Sequence, residues 1–164
     1  MQIIASAERH IDAPPRRVYH YIRDFREHHP RFLPPQFSDL RIETGGIGAG
    51  TVHSFSMTLG GRTTGYRVRV GEPEPGRVLI ESDPSRRMLT TFTVDSDGGG
   101  GSRVRIETRW HTNGVRGLVE RLVAPRMLRR VYQSELALLD RYARDAVPDA
   151  RPGVPAGSGV ISLV

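Results

Sequence analysis

Arg103-Val104-Arg105-Ile106-Glu107-Thr108-Arg109-Trp110-His111, followed after a short break by Gly117 to Ala146, is the stretch that decides the fold. In its first part Val104, Ile106, Thr108 and Trp110 fall on one side of an extended chain, with Arg103, Arg105, Glu107, Arg109 and His111 on the other. Side chains alternate across a strand, so this pattern predicts an antiparallel strand with one buried and one wet face. The second part changes period. At helical spacing Leu128, Val131, Tyr132, Leu139, Tyr142 and Ala143 share one stripe, and Arg126, Arg130, Gln133, Arg141 and Arg144 lie opposite. Pro125 stands inside this long helix and predicts an interruption or restart there.

Upstream, period two recurs over Ile3 to Ile11, Phe37 to Thr44, Thr51 to Leu59, Arg62 to Val70, Val78 to Asp83 and Met88 to Val94. Glycine- and proline-rich turns separate the later runs, among them Gly60-Gly61, Glu72-Pro73-Glu74-Pro75-Gly76 and Gly98-Gly99-Gly100-Gly101. After the first strand, Ala13-Pro14-Pro15 opens a helix that carries Val18, Tyr19, Ile22 and Phe25 at helical spacing. His29-Pro30 and Pro34-Pro35 leave room for only a short second helix or turn around Phe32 to Phe37. The fold class is therefore α+β: a curved antiparallel sheet of about six or seven strands around a long C-terminal helix, with two short helices after the first strand. Only that helix is large enough to cover the sheet's apolar face. Residues 1–146 form one domain, and 147–164, with Pro148, Pro152, Pro155 and three glycines, read as a tail whose apolar end Val160 to Val164 is able to dock.

Composition narrows the function classes. The 164 residues suit one domain with a real core. The absence of cysteine removes disulfides, thiolate metal sites and cysteine nucleophiles together. No apolar run approaches the roughly 20 residues that cross a bilayer. The first residues lack a basic region followed by an apolar stretch, so the cytoplasm is the expected compartment. Net charge is +6, and all 24 basic residues are arginine. A chain without lysine reports a coding bias as much as a phosphate footprint. The charge is dispersed and no reader motif is present, so nucleic acid is not an expected partner.

The element order, with Ile11-Asp12-Ala13-Pro14-Pro15-Arg16-Arg17-Val18-Tyr19 and Asp24-Phe25, resembles the START-like (SRPBCC) helix-grip superfamily from about Ile3 to Ala146. Gly99 to Val104 before the last strand and Leu118 to Arg130 entering the last helix look like its bacterial polyketide cyclase/dehydratase and lipid-transport branch. The resemblance implies a cavity between sheet and helix that holds small apolar molecules in many members. It does not choose among carriers, cyclases and sensors.

Two candidates for proton chemistry stand out. Glu135 falls between Tyr142 and Leu128, in the middle of the apolar helical stripe. A carboxylate there must find a donor, take up a proton or meet water through a cavity. The plain alternative is an ion pair with an inward arginine such as Arg9, which shares the parity of Ile11. His53 shares its strand face with Phe55, Met57 and Leu59, where an imidazole is able to orient a carbonyl or move a proton. The competing reading puts it at the rim beside Gly50.

Phe55, Met57, Tyr66, Thr90, Phe92, Thr108, Trp110, Leu128, Tyr132 and Leu139 occupy inward positions and are the expected ligand-binding residues. Apolar walls with a few hydroxyl tips suit a small-molecule pocket. No cofactor and no metal are expected. Gly46-Ile47-Gly48-Ala49-Gly50 lacks dinucleotide spacing and precedes a strand. His28-His29 lacks the i, i+4 partner and glutamate of a helical zinc site, and no third ligand has a recognisable spacing. The expected function is binding of a small hydrophobic molecule, lipid or polyketide-like, with a cyclase/dehydratase using Glu135 and His53 as the alternative. Arg116, Arg121, Arg126, Arg129 and Arg130, interleaved with Leu118, Leu122, Val123 and Met127, offer weak peripheral contact with an anionic membrane. Nothing in the sequence sets the oligomeric state.

Overall fold

The computed structural model describes residues 2–111 and 117–146, with the backbone alone for 117–122. The tail expected at 147–164, its apolar end included, lies outside the described residues. The chain runs β1 (Gln2–Ile11), α1 (Pro15–Arg23), a 3-10 turn (His29–Phe32), β2 (Phe37–Thr44), β3 (Val52–Leu59), β4 (Arg62–Glu74), β5 (Val78–Asp83), β6 (Met88–Ser96), β7 (Ser102–His111) and α2 (Gly117–Asp145). The strands make one antiparallel sheet in the order β1-β7-β6-β5-β4-β3-β2. This is the helix-grip α+β architecture, with β1 and β2 as the two edges.

Register shifts between Ser38 and Arg41, Ile42 and Thr44, and Gly71 and Glu74 interrupt the ladders. Such bulges bend a strand and raise its twist, which curves a sheet around what it covers. The helix α2 lies in that curve against β1, β3 and the 3-10 turn. Leu128, Val131, Tyr132, Leu136, Leu139 and Ala143 are buried on its inner stripe, and Arg126, Arg130, Gln133, Arg141 and Arg144 are exposed. The outward row on β7 behaves alike: Glu107 pairs with Arg105 and Arg109 at 2.5 and 2.7 Å.

Two local readings need correction. The helix does not break at Pro125 but runs through it. Val123 and Ala124 before Pro125, and Met127 and Leu128 after it, all line the space above the sheet, so the helix presents one face to it on both sides of the proline. The second short helix is His29–Phe32 rather than Phe32 to Phe37. Pro30 sits in its first turn, where a missing N–H is no loss, so the residue read as a breaker is a starter.

The loop 45–50 is held onto α1 and orients Phe25. Phe25 N–H donates to the Gly46 carbonyl at 2.9 Å and Gly48 N–H to Arg23 at 2.8 Å. Glu72 clamps the same junction. It accepts from the Tyr19 hydroxyl at 2.8 Å, from Arg23 Nε at 2.9 Å and from the Ala49 amide at 2.8 Å. The Arg23 hydrogen bond leads in lowering the Glu72 pKa to about 2. Gly48, at φ +61°, has no room for a side chain, because a Cβ would stand 2.3 Å from Glu72 Oε2. Glu72→Gln is expected to cost about 2 kcal/mol, as hydrogen bonds to charged groups are worth about 1.5–3 kcal/mol. That corresponds to a Tm lower by several degrees in a thermal melt at pH 7. The deficit should shrink below pH 4.5, because the stability from a lowered carboxyl pKa is lost as pH falls through the folded value.

Candidate functional site

Between the concave face of the sheet and α2 lies a cavity of about 860 Å³. Its residues sort into two ends by register. Leu59 pairs with Arg62, Asp83 with Met88, and Met88 with Trp110, so the β3–β4 turn, the β5–β6 turn and the end of β7 share one margin of the sheet. Val123 and Met127 of α2 also line the cavity. Arg62, Arg86, Arg87, His111 and Val123 are exposed, and the cavity opens to solvent at this end. Midway, Phe37 and Tyr66 pack on Phe55, at ring centroid distances of 5.5 and 5.3 Å, and Arg86 lies 5.0 Å over the Tyr66 ring.

The inner end is polar. One cross-strand row carries Glu81 on β5, Thr90 on β6 and Thr108 on β7. Thr90 and Thr108 share a hydrogen bond of 2.7 Å, and Thr108 bonds in turn to the Tyr132 hydroxyl. Tyr132 and Glu135 are three residues apart on α2 and project from one face of it. Phe25 links two imidazoles at this end: His29 on the 3-10 turn stacks on its ring and His53 on β3 tilts against it, each at a centroid distance of 4.6 Å.

Hydrogen bonds fix both imidazoles. His29 Nδ1–H donates to the Ile22 carbonyl at 2.7 Å, which leaves Nε2 as an acceptor 3.9 Å from Glu135 Oε1. That gap is too long for a hydrogen bond. His53 Nε2 lies 3.1 Å from Glu81 Oε1, and its Nδ1 is buried without a partner among the described residues. Neither Glu135 nor His53 sits at a rim: each is only 2 % exposed.

Burial separates the two carboxyls. Glu135, with no hydrogen-bond partner among the described residues, is pushed up to about 8 by burial and by the charge of Glu81. Burial pushes Glu81 upward, but the hydrogen bond from His53 counters it, and Glu81 lies below its ordinary value. Burial lowers His29 and raises the Tyr132 phenol, so both stay neutral at pH 7. The chamber thus holds one protonated and one ionised carboxyl, a pairing that divides donor and acceptor roles.

Of the residues expected from sequence, Glu135, His53, Phe55, Met57, Tyr66, Thr90, Phe92, Thr108, Trp110, Leu128 and Tyr132 line the cavity. Leu139 does not; it is buried in the core further along α2. Arg9 is not the partner of Glu135. It lies toward solvent and bonds Asp140 at 3.3 Å, where Asp140 also takes Arg144 at 2.7 Å. Of the basic helix, Arg126, Arg129 and Arg130 are exposed, while Arg116 and the side chains of Leu118, Arg121 and Leu122 lie outside the described residues. Sequence reasoning misses Glu81 and His29. Glu81 shares parity with Leu79, but Val78 and Ile80 make the other face equally apolar, so the strand hides which side is inside. His29 reads in the sequence only as half of a metal pair.

The chain matches the polyketide cyclase / dehydrase and lipid transport family over residues 2–144. No curated protein matches it. Among solved structures, the KanY protein is 29% identical, covering 88% of this chain and 99% of its own, with a TM-score of 0.77. TTHA0849 from Thermus thermophilus is 22% identical over 86% of this chain and 97% of its own, TM-score 0.72. The Zhui aromatase/cyclase from Streptomyces sp. R1128 is 16% identical over 94% and 100%, TM-score 0.71. The last two likenesses speak for the fold alone; the match across nearly the whole chain goes further, and the protein belongs to the polyketide cyclase / dehydrase and lipid transport family.

Proposed function

We propose that the protein binds a small hydrophobic molecule whose carbonyl or hydroxyl oxygen is received by Glu135 at the inner end of the cavity. One observation carries this reading: Glu135 is buried on the cavity wall, holds its proton at neutral pH and has no hydrogen-bond partner among the described residues. A buried donor left unpaired costs about 1–3 kcal/mol, which a ligand oxygen would recover. The apolar walls would supply affinity and the acid would set orientation.

Trp110, half-buried on the wall, gives the readout. An aromatic ketone should bind about tenfold more tightly than the hydrocarbon of the same shape, the worth of one hydrogen bond. Glu135→Leu should abolish that preference, and Glu135→Gln, which still donates from its amide, should keep most of it. Equal affinities for ketone and hydrocarbon in the parent protein would sink the proposal.

The split carboxyls favour a second reading as a cyclase or dehydratase, the two enzyme activities in the family's description, and the structurally similar Zhui protein is an aromatase/cyclase. In a dehydration, His53, its Nε2 engaged by Glu81, would accept a proton from carbon at Nδ1. Glu135 would give its proton to the departing hydroxyl, which leaves as water while the carbon–carbon double bond forms. Loss of turnover in Glu135→Gln at unchanged ligand affinity would select this reading over binding alone.

A further inference from the structure

We propose that His20, Asp24 and His28 form a binding site for a divalent transition-metal ion, zinc or nickel in kind, on the outside of the protein between α1 and the end of α2. None of the three lines the cavity, so the site stands apart from the function proposed above. Each offers one ligand atom, and these atoms lie within 4.8 Å of one another. The chain turns back after α1, which brings the His28 ring to 5.0 Å from His20, edge to face.

Two of the three ligands are already held for the task. Asp24 Oδ1 accepts the amides of Arg26 and Glu27, both at 3.0 Å, which fixes the carboxyl and leaves Oδ2 for an ion. His28 Nδ1 lies 2.7 Å from the Tyr142 hydroxyl. With Nδ1–H donating to that oxygen, Nε2 carries the lone pair. Metal-bound histidines are usually oriented by such an outer partner, and losing it typically weakens binding 10–100-fold. The third ligand, His20, is exposed and free to swing. Bond lengths of about 2.0–2.2 Å put tetrahedral ligand atoms roughly 3.4 Å apart, so a gap at the 4.8 Å limit closes by about 1.4 Å, a shift open to the exposed His20.

Two imidazoles and one carboxylate suit zinc, nickel or copper rather than calcium or magnesium, which prefer oxygen alone. Three protein ligands leave a fourth position for water. The nearby Arg31 is paired with Glu27 at 3.9 Å, which offsets its repulsion of a cation. The pattern is hidden in the sequence because its members stand at i, i+4 and i+8 across a helix end, with aspartate between the histidines.

The test is titration of the untagged full chain with Zn²⁺ by calorimetry and with Co²⁺ by visible absorption. One ion per chain is expected, with the intense visible bands of four-coordinate cobalt. His20→Ala, an exposed change that leaves the fold intact by circular dichroism, should weaken binding at least tenfold and remove those bands. Tyr142→Phe should weaken it about tenfold and leave the band positions alone. No binding at roughly millimolar Zn²⁺, or binding that survives both His20→Ala and His28→Ala, overturns the site. Asp24→Asn is a poorer test, because Asp24 also holds the turn.

Discussion

Replacing Glu135 with glutamine is expected to remove a loss of stability that the parent protein suffers as pH rises. In the unfolded chain this carboxyl ionises near its ordinary value of 4.5, whereas in the fold it keeps its proton to about 8. Below pH 4.5 both states are protonated and the position contributes no penalty. Between 4.5 and 8 the unfolded state alone ionises, so stability falls by about 1.4 kcal/mol per pH unit. From pH 5 to pH 8 this amounts to about 3 kcal/mol, or a Tm shift on the order of 10 °C in a domain of this size. Glutamine has no such slope. Urea unfolding of parent and variant at pH 5, 6.5 and 8 should therefore show curves that diverge toward alkaline pH, with the variant the more stable. Parallel pH profiles would mean that Glu135 is ionised in the fold. The same proton links stability to binding: affinity for a carbonyl ligand should drop as pH passes about 8.

His53→Leu should unfold the protein more readily, by about 3–5 kcal/mol at pH 7. It removes the hydrogen-bonded partner of Glu81, a carboxylate that is 7 % exposed, and strands a charge in the core. The double variant His53→Leu/Glu81→Leu should return most of that loss, because replacing a whole buried pair by apolar side chains is close to neutral. Denaturant midpoints of the parent, both singles and the double close a thermodynamic cycle. Additive losses would show that the two groups do not depend on each other. The deficit of His53→Leu should also shrink on acidification, as Glu81 takes up a proton and ceases to be a stranded charge. A pair that stability alone would not demand is consistent with the polar role proposed for this end of the cavity.

Much of the architecture is legible in local text. The strand from Val78 to Asp83 begins and ends where its alternation and flanking turns put it, and Phe37 to Thr44 likewise. The stripe on α2 is legible for the same reason: helix and strand periods are properties of the backbone, and polar and apolar residues have to sort onto them. Glu135 can be singled out because it breaks that stripe. Glu81 cannot, since both faces of its strand are apolar and only the sheet's curvature decides which one is inside.

What the residues settled unaided was the order of elements, the inward face of α2 and the presence of one misplaced acid on it. Tertiary structure alone decided who stands beside that acid: Arg9 turned out to Asp140, while His29, from the 3-10 turn, came within 3.9 Å. Periodicity acts over neighbouring residues, but proton affinity depends on charges and water brought close from distant parts of the chain. A carboxyl's surroundings therefore come into being only when sheet and helix close.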